Sequence, residues 1–167
     1  MASAQVVLHD KSQNGTFGIL NNRTVADMLL IRSISLDGSF VGSPPTNISA
    51  DGGVARFTHL KGNQGSKAIL SYSITTATGQ PGAVILGWSA PANFNPPTSP
   101  NKVFGAIGLK AVIDRMTFDE IQKLIENAGS SVEVCAEGVC MQATILNNPT
   151  AQMADLVANF SYLSPKP

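Results

Sequence analysis

The sequence predicts a mainly β protein, an antiparallel β-sandwich with one flanking α-helix, in which residues 1–167 form a single domain. Three observations predict this fold. Gly and Pro interrupt the chain at close intervals, and the segments between them carry β-branched and aromatic residues at near-alternating positions. Charged residues make up 13% of the chain and apolar residues 43%, which suits an all-β globule better than a helical bundle. One segment, residues 117–128, has the apolar period of a helix.

The first third of the chain predicts three strands. Residues 5–9 form a short strand candidate, and Asn14-Gly15 is the strongest dipeptide signal for a tight hairpin turn. Residues 16–20 would be the returning strand. Residues 25–36 are apolar enough for a buried strand, although residues 25–30 could instead begin as a helical turn.

The middle of the chain predicts four more strands and one long loop. The strands are residues 54–60, 68–75, 83–89 and 103–112. Residues 90–101 contain four prolines and form the loop. Long loops in compact domains are usually functional or mobile, so this loop is a candidate contact region.

The one convincing helix is residues 117–128, from Thr117 to Ala128. Thr117 and Glu120 have the spacing of a capping box, and Gly129 would end the helix in the left-handed conformation. Four apolar side chains fall on one face, which we expect to lie against the sheet: Phe118, Ile121, Leu124 and Ile125.

The last part of the chain predicts a hairpin and a final strand. Residues 131–135 and 140–146 would pair around a four-residue loop, and residues 156–163 would form the last strand. Cys135 and Cys140 flank the hairpin loop, so a disulfide between them is geometrically feasible. In a cytosolic protein the same residues would instead remain reduced thiols.

Charge and hydropathy restrict the expected partners and location. The net charge is zero, whereas nucleic-acid binding requires clustered Lys and Arg, so no nucleic-acid partner is expected. No apolar run is long enough for a transmembrane helix. Residues 1–5 lack a basic region followed by an apolar core, which argues against a signal peptide. We therefore expect a protein that is cytoplasmic, or released without a classical signal peptide, and peripheral at membranes.

No catalytic or metal-binding motif can be assembled from the sequence, so we expect no enzymatic activity and no cofactor. The two histidines, His9 and His59, lack the spacing of metal ligands. Residues 61–67 have the Ser before the Lys and too short a glycine spacing for a phosphate-binding loop. Ser89 lacks the second glycine and the following helix of a nucleophile elbow.

Aromatic residues near the long loop are the candidates for a contact surface. Trp88, the only tryptophan, either joins a cluster at the sandwich rim that contacts a lipid interface or a sugar, or fills the core as large aromatics usually do. Phe94 lies in the loop between Asn93 and Asn95, and Tyr72 lies in a strand whose face the sequence does not fix. The candidate lipid- or glycan-binding residues are Tyr72, Trp88, Asn93, Phe94 and Asn95.

Three short blocks in the central stretch occur in the order and at the spacing of motifs in a known family. They are Gly-Ser-Phe-Val-Gly-Ser-Pro-Pro from residue 38, Phe-Thr-His from residue 57 with Gly-Ser-Lys-Ala from residue 65, and Leu-Gly-Trp-Ser-Ala-Pro from residue 86 with Asn-Lys-Val-Phe from residue 101. In this arrangement the chain resembles the plant jasmonate-induced protein family and the related nakanori-like lipid-binding proteins. Ala55-Arg56 departs from the plant pattern, which favours Trp and Gly before the Phe.

The resemblance implies an actinoporin-like β-sandwich that recognises membranes of the sphingomyelin–cholesterol type, in a defence or toxin-like role. Pore formation is not implied, because actinoporins use an amphipathic N-terminal helix and residues 1–20 here have a strand-turn-strand pattern. A carbohydrate-binding lectin on a similar sandwich is the alternative. The expected partners are membrane lipid headgroups or glycans.

Overall fold

The computed structural model describes residues 12–93 and 100–163, which form eleven β-strands and two helices. The helices are α1 (Lys110–Ile113) and α2 (Phe118–Glu126). The strands are β1 (Gly15–Asn22), β2 (Met28–Asp37), β3 (Ser39–Phe40), β4 (Asn47–Ile48), β5 (Gly53–Leu60), β6 (Gly65–Thr75), β7 (Pro81–Pro91), β8 (Lys102–Leu109), β9 (Ser131–Ala136), β10 (Val139–Asn148) and β11 (Met153–Tyr162).

The strands form two sheets, which confirms the predicted sandwich with a flanking helix. Sheet 1 has the order β3-β5-β1-β11-β10-β9, and sheet 2 has the order β4-β2-β6-β7-β8. The described strand pairs are antiparallel with one exception: β1 and β11 run parallel. This pair joins the beginning of the described chain to its end. It therefore connects the two halves of sheet 1, β3-β5-β1 and β11-β10-β9, through contacts that no local sequence signal encodes.

Sheet 2 is covered on both faces. The main core lies between the sheets and includes Leu20, Leu86 and Phe160. A second core lies between sheet 2 and the helices and includes Ile69 and Ile121. Each fully buried aliphatic side chain contributes about 1.5–3 kcal/mol. The helices therefore cover one face of sheet 2, while no described helix covers the outer face of sheet 1.

Helix α2 begins with the predicted capping box. The Thr117 hydroxyl accepts from the Glu120 amide at 3.2 Å, and the Glu120 carboxylate accepts from the Thr117 amide at 2.9 Å. Ile121 and Ile125 are fully buried, whereas Leu124 is 41% exposed. Asn127 ends the helix, and Gly129 does not adopt the left-handed conformation that was expected of it.

Several predicted boundaries need correction. The strand predicted to reach residue 112 ends at Leu109, because the chain turns into α1 over sheet 2. The strand predicted from residue 25 begins at Met28 and is only partly buried. Residues 5–9, the proposed partner of the Asn14-Gly15 turn, lie outside the described residues; the described neighbours of β1 are β5 and β11.

The hairpin of β9 and β10 is tighter than predicted and carries a disulfide. Its loop contains two residues, Glu137 and Gly138, with φ of 55° and 73°, the signs that a type I′ turn requires. Cys135 and Cys140 face each other across the strands and are bonded, with their Cα atoms 4.1 Å apart. The disulfide alternative is therefore the one this structure contains.

Within the described residues, neither helix is both long and apolar enough to cross a bilayer.

Candidate functional site

One end of the sandwich, which we call the loop end, gathers four connecting segments: residues 61–64, 92–93, 100–101 and 149–152. Asn14 links two of them through its backbone. Its amide donates to the Gln152 carbonyl at 2.7 Å, and its carbonyl accepts from the Lys61 amide at 2.9 Å. The residue before β1 therefore holds the loop of residues 61–64, which follows β5, next to the loop of residues 149–152, which precedes β11.

The loop of residues 61–64 is fixed by one carboxylate. Asp37, the last residue of β2, accepts from the Asn63 amide at 3.1 Å and from the Gln64 amide at 2.8 Å. The loop passes so close that a Cβ at Gly62 would overlap the Asp37 carboxylate and the Gly38 amide. A glycine at position 62 is thus required for Asp37 to hold the loop in this form.

The base of the long loop is clamped by two buried amide side chains. Gln13 is 1% exposed and Asn101 is 3% exposed. The Gln13 side chain donates to the Asn101 side-chain oxygen and to the Pro91 carbonyl, both at 2.9 Å, and accepts from the Asn101 amide group at 3.2 Å. Since each buried amide has partners for its donor and its acceptor, the loop leaves and re-enters the sheet at a fixed spacing.

A polar pocket of about 510 Å³ opens at the loop end, between the loop of residues 61–64, the beginning of β6, the end of β7 and α2. This volume lies in the range of small-molecule sites. Its lining is mostly neutral and polar, and consists of Leu36, Asp37, Asn63, Gln64, Gly65, Ser66, Lys67, Ser89, Ala90, Pro91 and Gln122.

Lys67 is the cation of the pocket and is only loosely paired. Its Nζ lies 3.8 Å from Glu126 Oε1, and the two side chains are 19% and 58% exposed. Ion pairs of this kind are worth about 0–1 kcal/mol, so Lys67 can turn to an anionic ligand at little cost. Asp37, by contrast, is occupied by the loop amides. The pocket therefore offers one available cation among neutral hydroxyl and amide groups.

A buried histidine lies behind the pocket wall. His59 is fully buried, with Nδ1 at 2.8 Å from Ser66 Oγ and Nε2 at 3.0 Å from Ser35 Oγ. Trp88 Nε1 donates to the same Ser66 oxygen at 3.2 Å, and the Phe40 ring packs edge-on against the imidazole with centroids 4.7 Å apart. Because Ser66 lines the pocket, these residues fix the position of its wall.

Ser35 and His59 have the spacing of a nucleophile and its base, but their environment argues against catalysis. Burial lowers the pKa of His59 from 6.5 to about 4, against an opposing effect of Asp37, so the ring is neutral and weakly basic at pH 7. Nδ1 of His59 is hydrogen-bonded to the Ser66 hydroxyl. In a catalytic triad this nitrogen would instead bond a carboxylate that stabilises the imidazolium. The histidine therefore has the features of a structural hydrogen-bonding group. Within the described chain, no cluster of three or more His, Cys, Asp or Glu is arranged to hold a metal ion.

Two of the candidate lipid- or glycan-binding residues, Trp88 and Tyr72, lie in the core and not at the surface. Trp88 is fully buried and stacks on Phe57 with ring centroids 5.1 Å apart. Tyr72 is also fully buried; its hydroxyl donates to the Pro45 carbonyl at 2.7 Å, and burial raises its pKa. Both side chains point between the sheets from central strands, so neither is available at the surface. The core alternative for Trp88 is the one the structure adopts.

The other predicted site residues belong to the long loop. Asn93 is exposed at the loop base, where it bridges to Ser12. Phe94 and Asn95 lie outside the described residues, so their contact role stays a prediction.

Sequence reasoning missed the pocket itself. Residues 61–64 form the turn between β5 and β6, whereas Ser66 and Lys67 lie in β6 on the pocket wall. Gln122 reaches the pocket from α2 and Asp37 from the end of β2, and no motif in the sequence singled out either residue. The sequence signals at this site were the resemblances of residues 65–68 and of residues 86–91 to family motifs, since both blocks contribute lining residues.

Comparison with known proteins supports the fold. No family model matches the sequence, and no curated protein matches it. The structure is similar to the crystal structure of the lipid binding protein Nakanori, with a TM-score of 0.74 and 15% identity, over 89% of this chain and 71% of that chain. At this identity the likeness shows the fold alone, which agrees with the nakanori-like sandwich expected from the motifs. Membership of the plant jasmonate-induced family stays a prediction.

Proposed function

We propose that this chain is a non-enzymatic lipid-binding protein that docks on membranes through the loop end and takes a lipid headgroup into the polar pocket. The observation that carries the proposal is the pocket of about 510 Å³ at the loop end, in a fold similar to that of a lipid binding protein. The proposed target is a membrane of the sphingomyelin–cholesterol type. A defence or toxin-like role and a peripheral location at membranes belong to the same proposal.

The pocket has groups that suit a phosphate-containing zwitterionic headgroup. Lys67 would donate to the phosphate after leaving Glu126, and the Ser89 hydroxyl and the Gln122 amide would supply further hydrogen bonds. Hydrogen bonds to a charged group contribute about 1.5–3 kcal/mol each, so a single such contact is measurable. The neutral remainder of the lining suits the amide and hydroxyl groups of a sphingolipid.

The rigidity of the site supports binding without rearrangement of the sheet. Asp37 holds the loop of residues 61–64, and Gln13 with Asn101 holds the base of the long loop. A preformed pocket avoids the free-energy cost of ordering its walls when the ligand enters.

Sedimentation with vesicles tests the proposal. Vesicles of phosphatidylcholine alone are compared with vesicles that also contain sphingomyelin and cholesterol. We expect the chain to pellet with the second set more than with the first. Failure to pellet with either set would refute lipid binding, and equal pelleting would refute the sphingomyelin–cholesterol preference.

A carbohydrate-binding lectin is the alternative, because side-chain amides such as those of Asn63, Gln64 and Gln122 are also groups that hydrogen-bond sugars. Among the lining residues that the structure describes, no aromatic ring offers a stacking surface for a sugar, so the lipid proposal is the stronger. A glycan array separates the two: saturable binding to a glycan, with no vesicle binding, would establish the lectin.

A further inference from the structure

We propose that a second pocket, on the outer face of sheet 1, binds a free amphipathic amine through its primary ammonium group. The pocket has a volume of about 450 Å³ and lies where β1 and β11 begin and β10 ends. Its principal lining residues are Phe17, Ile19, Asn148, Met153, Asp155 and Val157. This inference is independent of lipid binding at the polar pocket.

The walls of this pocket are apolar although they lie on a sheet face that no described helix or strand covers. Phe17, Ile19, Met153 and Val157 are all half-buried, and they point outward from neighbouring strands. Such a surface favours the methylene groups of a ligand, because contact removes apolar area from water.

A single carboxylate lies within this apolar surface. Asp155 pairs in register with Phe17 on one side and with Leu146, which is 61% exposed, on the other. Asp155 is the one charged residue among the described residues that line the pocket. No Lys or Arg within residues 12–93 and 100–163 forms an ion pair with Asp155 within 4 Å. A carboxylate without a cation in an apolar concavity complements a ligand that joins a positive charge to a hydrocarbon chain.

The acceptors around Asp155 favour an ammonium group with N–H donors. Asp155 Oδ2 accepts from the Asn148 side-chain amide at 2.9 Å, whereas Oδ1 has no donor among the described residues. Of the donors in residues 12–93 and 100–163, Asn148 Oδ1 accepts the Ala151 amide alone, at 3.2 Å, which leaves its second lone pair for a ligand. A quaternary ammonium cannot donate to these oxygens and is usually enclosed by several aromatic rings, whereas Phe17 is the one aromatic residue among the described residues that line this pocket.

The test is a titration of the whole ¹⁵N-labelled chain with hexylammonium chloride, followed by NMR at the amides of Phe17, Met153 and Val157. We expect saturable shifts, and affinities for hexanol and for tetramethylammonium that are lower by about tenfold or more, since each lacks one half of the recognised chemistry. Absence of saturable shifts, or equal affinity for hexanol, would overturn the proposal.

Three variants locate the site. Asp155→Asn keeps the acceptor for Asn148 and is expected to lower hexylammonium affinity about tenfold, as the loss of a charged hydrogen bond requires. Asp51→Asn removes an exposed carboxylate near the opposite end of the sheet and should change nothing. Arg56→Gln removes the cation that is paired in register with Ile19 and should raise the affinity. Unchanged affinity in a folded Asp155→Asn protein contradicts the assignment.

Vesicles containing phosphatidylethanolamine distinguish a free amine from a lipid amine. Equal pelleting of the wild type and Asp155→Asn is expected for a pocket that takes free amines. Pelleting that is lost only in Asp155→Asn would assign the pocket to an aminophospholipid and overturn the free-amine proposal.

Discussion

Stability should fall when the pH drops from 7 to 5, and His59 should cause most of the fall. Burial lowers the pKa of His59 from 6.5 to about 4. Between these values the unfolded chain binds a proton that the folded chain does not, so the free energy of unfolding decreases as the pH falls. The contribution of His59 is complete above pH 6.5 and is lost as the pH falls from 6.5 toward 4.

The size of the effect follows from the two pKa values. One pKa unit corresponds to about 1.4 kcal/mol, and a lowering from 6.5 to about 4 gives a loss of about 2 kcal/mol between pH 7 and pH 5. This is a large part of the stability of a typical domain, about 5–15 kcal/mol. Full burial of the ring, between Ser35 and Ser66, leaves little solvent to screen the effect.

Urea unfolding measures this directly, because Trp88 is the only tryptophan and reports loss of the core by fluorescence. The free energy of unfolding is compared at pH 7 and pH 5 for the wild type and for His59→Gln, which retains hydrogen-bonding groups but does not titrate. We expect the wild type to lose about 2 kcal/mol more than the variant. The reasoning is refuted if both proteins lose the same amount.

Two further substitutions test the loop end and the helix separately. Gly62→Ala would place a methyl group against the Asp37 carboxylate. We expect the free energy of unfolding in urea to fall by about 1–3 kcal/mol and vesicle pelleting to weaken. Unchanged pelleting would show that the loop does not shape the site. Thr117→Ala removes the capping box of α2 and should cost about 1 kcal/mol, seen as a lower thermal midpoint, while vesicle pelleting stays as in the wild type. A loss of pelleting in Thr117→Ala would mean that α2 contributes more to the site than the side chain of Gln122.

The local elements could be predicted because their signals are local. The capping box at Thr117 fixed the start of α2, and glycine and proline turns separated the strands. The parallel pairing of β1 with β11 could not be predicted, because the paired residues lie about 140 positions apart and no local motif marks them as partners.

The position of Trp88 shows why the sequence pattern of a strand does not always tell which side chains face the core. In β7 every residue from Gly82 to Trp88 is buried, because the sandwich core covers one face of sheet 2 and the helices cover the other. Such a strand has no polar alternation that would reveal which face a side chain occupies.

The pocket and the His59 environment are assembled from separate segments, which explains why sequence reasoning missed them. His59 contacts Ser35, 24 residues away, and Ser66, seven residues away, while Gln122 reaches the pocket from the helix layer. These residues lie in three different strands and a helix, so their contacts depend on how the elements pack and not on a local period.

The most direct test of lipid binding at the loop end is vesicle pelleting of Lys67→Gln beside Lys123→Gln, on vesicles of phosphatidylcholine, sphingomyelin and cholesterol. The two changes remove the same charge, but Lys67 lines the pocket, whereas Lys123 is exposed on α2 and does not line it. We expect Lys67→Gln to lower the apparent affinity about tenfold and Lys123→Gln to leave it near that of the wild type. Equal affinity of the two variants would contradict headgroup binding in this pocket.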